Sequence, residues 1–401
     1  MALAVLVFCF VVSAIVGSMG QSFSVFLLPI SQTLQLERGE IASVYSMSLL
    51  ASGLASPLVG LLFDRLGPRI VYAAGASVAA AGYALGSGAD SLLEIGLLYG
   101  GLAGIGGALT GGVPHAALVS RWFRENAGTA MGIVFSAGGL ATALTSPVSQ
   151  VLIDALGWRS TFGLYAIVIG CIVPVVLFMP WRQIMAGDPM VAHRPNEPLE
   201  PGRDPHVWTI GSAMRTPSFW GLFFVYFFTG GCTTALAAHM VSYLTVAGFD
   251  PLVAATAFGF SGLLTPFGMI GFGTLSDRIG RRRSAALSYA ATGLAVIGLF
   301  LVGFWPSIAI LIPTIFFFGI SSGSRGPMVS AIALNMFAGH RVGGIYGAIS
   351  LGGGLGSAFG TWFSGALQDW TGEPTALLWY TGTALFIGAL PFFTIGGIRH
   401  S

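Results

Sequence analysis

The chain has 401 residues, 54% of them hydrophobic and 8% charged, with 59 glycines and a mean hydropathy of +0.82. Soluble domains carry about 25% charged residues, so this chain cannot cover a surface facing water throughout. Soluble enzymes, nucleic-acid binders and single-anchor receptors are excluded. The formal net charge is +2, and all 17 basic residues are arginine, so no lysine chemistry is available.

Taken in chain order, apolar runs between charged or turn-rich breaks predict spans at 3–29, 40–63, 69–89, 91–119, 127–153, 159–180, 218–244, 252–275, 284–304, 307–335, 343–367 and 375–397. Each run stays apolar for about the 20 residues that a membrane-crossing helix needs, whereas barrel strands alternate over about ten. The first run is too long for a signal peptide and lacks a charged leader, so it reads as a span. Cys9, Cys171 and Cys232 each lie inside an apolar run and read as packing residues.

One break differs from the rest. Trp181 to Pro217 is long, proline-rich and charged, with His193, Arg194, Glu197, Glu200, Arg203 and Asp204. It divides the chain into expected units 1–180 and 218–401, with 181–217 as linker. The units repeat each other in sequence. Gly60-Leu-Leu-Phe-Asp64-Arg65-Leu-Gly67-Pro-Arg69 returns as Gly273-Thr-Leu-Ser-Asp277-Arg278-Ile-Gly280-Arg-Arg282. Pro114 returns as Pro327 at the same offset, and Asp154 with Gly157 returns as Asp369 with Gly372 at nearly the same one. Repeats of equal orientation predict two halves related by an axis along the membrane normal.

Of the 17 arginines, 14 fall on one side of this span map, and only Arg38 and Arg159 fall on the other. The arginine-rich side is expected to be cytoplasmic. Both termini and the linker then lie inside.

The doubled Gly-x-x-x-Asp-Arg-x-Gly-x-Arg motif, the twelve spans and the long central loop resemble the major facilitator superfamily of secondary transporters. The resemblance implies an all-α integral membrane fold of twelve transmembrane helices in two pseudo-symmetric six-helix bundles. It also implies that Gly60, Asp64, Arg65, Arg69, Gly273, Asp277 and Arg278 form a cytoplasmic latch that closes when the protein faces outward. The residue types suit that role physically. Glycines allow close helix contact, and aspartates can accept hydrogen bonds from arginines or from a neighbouring helix N-terminus.

Three further stretches resemble the bacterial monocarboxylate transporter and oxalate-formate antiporter branch: Gly20-Gln21-Ser22-Phe23-Ser24-Val25-Phe26, Ala238-His239-Met240-Val241-Ser242-Tyr243 and Ser324-Arg325-Gly326-Pro327. The chain departs from that branch in the eighth span, where Ser261 and Thr265 precede Pro266 in place of an aspartate and an arginine. It also lacks the first-span lysine of some relatives.

Arg325 is the one formally charged residue deep inside a predicted span. Burying it costs at least about 2.5 kcal/mol, which disfavours a lipid-facing position. Its planar guanidinium suits a carboxylate, with a brace to backbone carbonyls as the alternative. Ser321 and Ser322 lie one turn away. Gln21 stands on a stripe of Ser13, Gly17 and Ser24, and its amide is too polar for a packing seam, so it is expected to line the cavity. His239 and Tyr243 lie in the outer half of the seventh span. At about 1.5 Å per residue, the depths of His239 and Arg325 differ by about 20 Å, so His239 reads as an outer-gate or proton-sensing group. His115 reads as structural.

These residues predict a transporter, not an enzyme, for a small organic anion such as a mono- or dicarboxylate, working by alternating access with protons as an optional co-substrate. Expected partners are the anion and the lipid bilayer, with no nucleic acid, no cofactor and no metal. The chain is expected to be monomeric in a bacterial inner membrane. An exporter of an apolar or cationic compound is the rival. It would need an acidic residue in the cavity, and all 15 acids fall in loops or at span ends.

Overall fold

A computed structural model describes residues 1–36, 38–123, 126–187, 208–337 and 341–396. Linker residues His193, Arg194, Glu197, Glu200, Arg203 and Asp204 lie outside this set. The described residues are helical almost throughout, and nine stretches among them are long and apolar enough to cross a membrane. Two of the nine hold two spans each, and the helix Val342–Thr371, outside the nine, is the twelfth. One helical stretch, Arg38–Gly86, has 49 residues. Drawn straight it would be roughly 73 Å long, more than twice a bilayer's hydrocarbon thickness of about 30 Å. The chain instead turns at Gly67 (φ 77°, ψ 171°), a conformation costly to any residue with a Cβ. Ala127–Gly170 turns in the same way at Gly157 (φ 81°, ψ 161°).

The helices are α1 (Ala2–Leu34), α2 (38–66), α3 (68–86), α4 (Leu92–Val119), α5 (127–156), α6 (158–178), α7 (Pro217–Val246), α8 (Pro251–Ile279), α9 (Arg281–Phe304), α10 (Ile308–Met336), α11 (Val342–Thr371) and α12 (Ala376–Thr394). The duplicated sequence reappears as duplicated turns. Gly67 and Gly280 both take positive φ between the second and third helix of their half, and Gly157 and Gly372 do so between the fifth and sixth. Helix starts follow from local chemistry. Thr216 and Asp250 accept hydrogen bonds from the amides of Phe219 and Leu252, and each precedes a proline at the first helical position.

Lipid is as apolar as leucine, so close backbone packing holds such helices together in place of the hydrophobic effect. Large apolar side chains such as Leu144, Phe178, Leu252 and Phe386 are exposed. The halves meet along two seams, α2 against α11 and α5 against α8, and both are lined with glycine. Cys9 and Cys232 are buried as expected, whereas Cys171 is exposed where α6 is interrupted.

Candidate functional site

At the arginine-rich end, each half sends a carboxylate to the start of a helix in the other half. Asp64, near the end of α2, accepts from the amides of Gly343 (3.2 Å) and Gly344 (2.8 Å) in the first turn of α11. Asp277, near the end of α8, accepts from the amides of Gly128 (3.1 Å) and Thr129 (2.7 Å) and from the Thr129 hydroxyl (2.7 Å) in the first turn of α5. First-turn amides have no partner within their own helix and carry the positive end of its dipole, so a carboxylate satisfies both needs. Glycine makes this approach feasible. A Cβ at Gly60 would collide with the Gly343 carbonyl oxygen, and one at Gly273 would collide with that of Gly128.

The arginines are arranged differently from the sequence expectation. Arg65, Arg69 and Arg278 are exposed, and Arg65 lines a cavity of about 470 Å³ with Asp64 and Arg341. Arg281, outside the expected cluster, lies 3.7 Å from Asp277. The helix is broken between them at Gly280 (φ 89°, ψ 153°), and the turn made there brings Arg281 back to Asp277. In the loop after α4, burial lowers Arg121 from the ordinary arginine value, and the nearby Asp64 carboxylate opposes that shift.

Toward the other end the seams part. The α2 and α11 backbones are still in contact at Gly53 and Gly354. Beyond them a cavity of about 410 Å³, lined in part by Ser46, Met47, Thr234 and Ser357, separates α2 from α7 and α11. Helices α5 and α8 meet at Gly132 and Gly139, while Ala143, Pro147 and Gln150, which continue that face of α5, are exposed.

Two spans are broken at repeat-related positions. Helix α4 is interrupted at Thr110 and Gly111, and α10 at Ser322 to Ser324, where Gly323 takes φ +72°. The offset that carries Gly60 onto Gly273 also carries Gly111 onto Ser324. Interrupted helices in corresponding positions of two halves mark the binding region of many secondary transporters.

Arg325 begins the second segment of α10 and is fully buried. Its Nη2 donates to the Ser288 carbonyl (3.1 Å) and to the Thr292 hydroxyl of α9, and its guanidinium lies over the Tyr289 ring, 4.2 Å from the centroid. Nε and Nη1 have no partner among the described residues. Either edge of a guanidinium that can grip both oxygens of a carboxylate includes Nη2. In this conformation Arg325 therefore ties α10 to α9, and a forked contact requires Nη2 to leave Ser288 and Thr292.

The other expected residues divide. Gln21 is exposed, its amide beside Gly138 and at 3.5 Å from the Thr142 hydroxyl of α5. It lines a cavity of about 210 Å³ within the first half, together with Tyr45, Ser48 and Ser52 of α2 and Thr110 of α4. π-Helical stretches Ser13–Gly17 and Gly96–Ala103 border this cavity, and such stretches occur often at functional sites. Ser321 is buried and donates back to the Phe318 carbonyl, while Ser322 stands at the break. Tyr243 is buried and donates to the Leu299 carbonyl of α9 at 3.1 Å, a helix-to-helix tie that removes it from any ligand in this conformation. His239 packs toward Gly365 of α11, with Nε2 unpartnered among the described residues. His115 is buried, and its Nδ1 shares a 2.7 Å hydrogen bond with the Tyr72 hydroxyl.

Tyr45, Ser48 and Ser52 were not anticipated from the sequence. Their spacing of three and four puts them on one face of the helix, a signal that could have found them.

The Major Facilitator Superfamily profile matches residues 6–361. Monocarboxylate transporter 13 of Rattus norvegicus is 26% identical over 396 residues, covering 96% of this chain and 86% of that protein. The oxalate:formate antiporter of Oxalobacter formigenes is 24% identical over 316 residues, covering 77% and 69%. Among solved structures, a proton:xylose symporter bound to 6-bromo-6-deoxy-D-glucose superposes with a TM-score of 0.73 at 14% identity, covering 98% of this chain and 95% of that one. The twelve-helix architecture, its duplicated halves and a profile match across most of the chain together establish that it belongs to the Major Facilitator Superfamily.

Proposed function

We propose that the chain carries a small organic anion across a bacterial inner membrane by alternating access, with Arg325 as the principal anion contact. The observation that carries this reading is a fully buried guanidinium with Nε and Nη1 unpartnered among the described residues, at one of two repeat-related helix breaks. A buried, unsatisfied charged donor costs free energy that an arriving carboxylate would recover. The names of relatives, a monocarboxylate transporter and an oxalate:formate antiporter, agree with a carboxylate ligand. Gln21, Ser321 and Ser322 complete the central region in this reading. Tyr243 is a packing residue of the present conformation.

Units 1–180 and 218–401 rock about this region, joined by the cytoplasmic linker 181–217, and each works as part of a monomer with both termini inside. The two carboxylate contacts hold the cytoplasmic side shut, and the parted seams leave the outer side open. His239 is the candidate proton-binding group of the outer half. Alternating access needs no covalent step, only a ligand whose binding differs between the two states.

Binding of a carboxylate panel to detergent-purified protein tests the anion reading. Arg325→Lys keeps the charge but loses the fork, and Arg325→Gln loses both. Charge-assisted hydrogen bonds contribute about 1.5–3 kcal/mol each, so affinity should fall at least about tenfold in Lys and further in Gln. Unchanged affinity in monodisperse Arg325→Gln protein would contradict the proposal.

A further inference from the structure

We propose that the cavity inside the first half is a subsite for the uncharged, hydroxyl-bearing end of the transported anion, with Tyr45, Ser52 and Gln21 as its reading residues. This inference rests on Arg325 holding the carboxylate.

The cavity has about 210 Å³ of space. That suits one small polar fragment. No Asp, Glu, Lys, Arg or His lines it among the described residues. A second carboxylate there would meet no counter-charge, whereas a hydroxyl would find neutral partners. Neutral polar groups are plentiful. The hydroxyls of Ser13, Tyr45 and Ser52 form no hydrogen bond among the described residues. The Gln21 amide has only its long contact with Thr142 among them. By contrast, the hydroxyls of Ser48 and Thr110 already donate to backbone carbonyls of their own helices, at 2.9 Å each. The free groups therefore come from α1 and α2 and converge on one space.

Its position agrees with this role. The floor includes Thr110 and Gly111, the break in α4, and the repeat places that break opposite the α10 break where Arg325 stands. The two sites thus occupy corresponding depths in the two halves. The aromatic wall is rigid, since Phe23 stacks on both Tyr45 and Tyr99 with centroids 6.0 and 4.6 Å apart. A rigid wall fixes where the Tyr45 hydroxyl points. Solutes with a neutral polar end are then preferred over both plain fatty acids and dicarboxylates.

The test uses three four-carbon probes, butyrate, 3,4-dihydroxybutyrate and succinate, with binding measured on purified wild type, on Tyr45→Phe/Ser52→Ala and on Arg325→Gln. Wild type should bind 3,4-dihydroxybutyrate about threefold to tenfold more tightly than butyrate for each hydrogen bond gained, and succinate no better than butyrate. The double variant keeps the ring stack and loses two hydroxyls, so its preference for the dihydroxy acid should fall toward one. Arg325→Gln should lose all three probes. A wild type that binds butyrate and the dihydroxy acid equally, or a monodisperse double variant that keeps the full preference, overturns the subsite while leaving the anion reading intact. Tighter binding of succinate than of the dihydroxy acid overturns it as well. Failure of folded wild type to bind any probe overturns the anion reading, and the subsite with it.

Discussion

The paired carboxylate contacts give a graded prediction. Asp64→Asn leaves one oxygen to accept a hydrogen bond and removes the charge that faces the first turn of α11. Hydrogen bonds to a charged group contribute about 1.5–3 kcal/mol against about 1 for a neutral pair, and a carboxylate at a helix N-terminus adds about 0.3–1 kcal/mol. Two amide contacts are affected at Asp64. The closed state at the arginine-rich end should therefore lose about 2 kcal/mol, roughly a thirtyfold shift in the ratio of the two states. Asp277→Asn touches three contacts and should shift the ratio further. Nitroxides at Leu66→Cys and Ile279→Cys, both exposed at the arginine-rich ends of α2 and α8, report the separation of the halves there. Cys171→Ser removes the exposed native thiol. Electron–electron double resonance should show a short distance in the parent and a growing long-distance population in Asp64→Asn and Asp277→Asn. Identical distance distributions in all three proteins would refute the claim that these carboxylates hold the halves together.

Gly60→Ala drives a methyl into the Gly343 carbonyl oxygen, so it should enrich the same long-distance population without touching any charge; an unchanged distribution would mean the seam is looser than drawn. Thr292→Val removes one acceptor that holds Nη2 of Arg325, and carboxylate affinity should rise about fivefold as the fork becomes easier to form; a fall in affinity would make Thr292 part of the site itself. His239→Gln should flatten the dependence of uptake on external pH; an unaltered profile removes His239 from coupling. A cysteine at exposed Gly211 should resist a membrane-impermeant thiol reagent in intact cells and react in inverted vesicles, and labelling from outside would reverse the orientation.

The parts of this fold that were legible in the sequence are those where one residue type has one use. Gly67 and Gly280 sit at the same place in a repeated motif and make the same turn, and Thr216-Pro217 and Asp250-Pro251 open helices as such pairs do. Asp64 and Asp277 were identifiable as a repeat-related pair because their spacing recurs, and the expectation that they latch came from the family resemblance. The arginines around them were harder to assign, since Arg278 and Arg281 are close in sequence and only the path of the chain after Gly280 brings Arg281 back to Asp277. The π-helical stretches in α1 and α4 leave no residue signature, so the distorted backbone beside the cavity was not visible in advance. The direction of a side chain within a span was equally hidden. Arg325 and Tyr243 both turn toward α9, to which the apolar patterning of α7 and α10 gave no pointer.

The central claim is that a carboxylate moves through this protein by way of Arg325. Purified protein in liposomes preloaded with unlabelled butyrate, with radiolabelled butyrate outside, tests it directly. Exchange that brings label in is expected with wild type and not with monodisperse, correctly inserted Arg325→Gln. Equal exchange by both proteins, or none by wild type across a carboxylate panel, would contradict it.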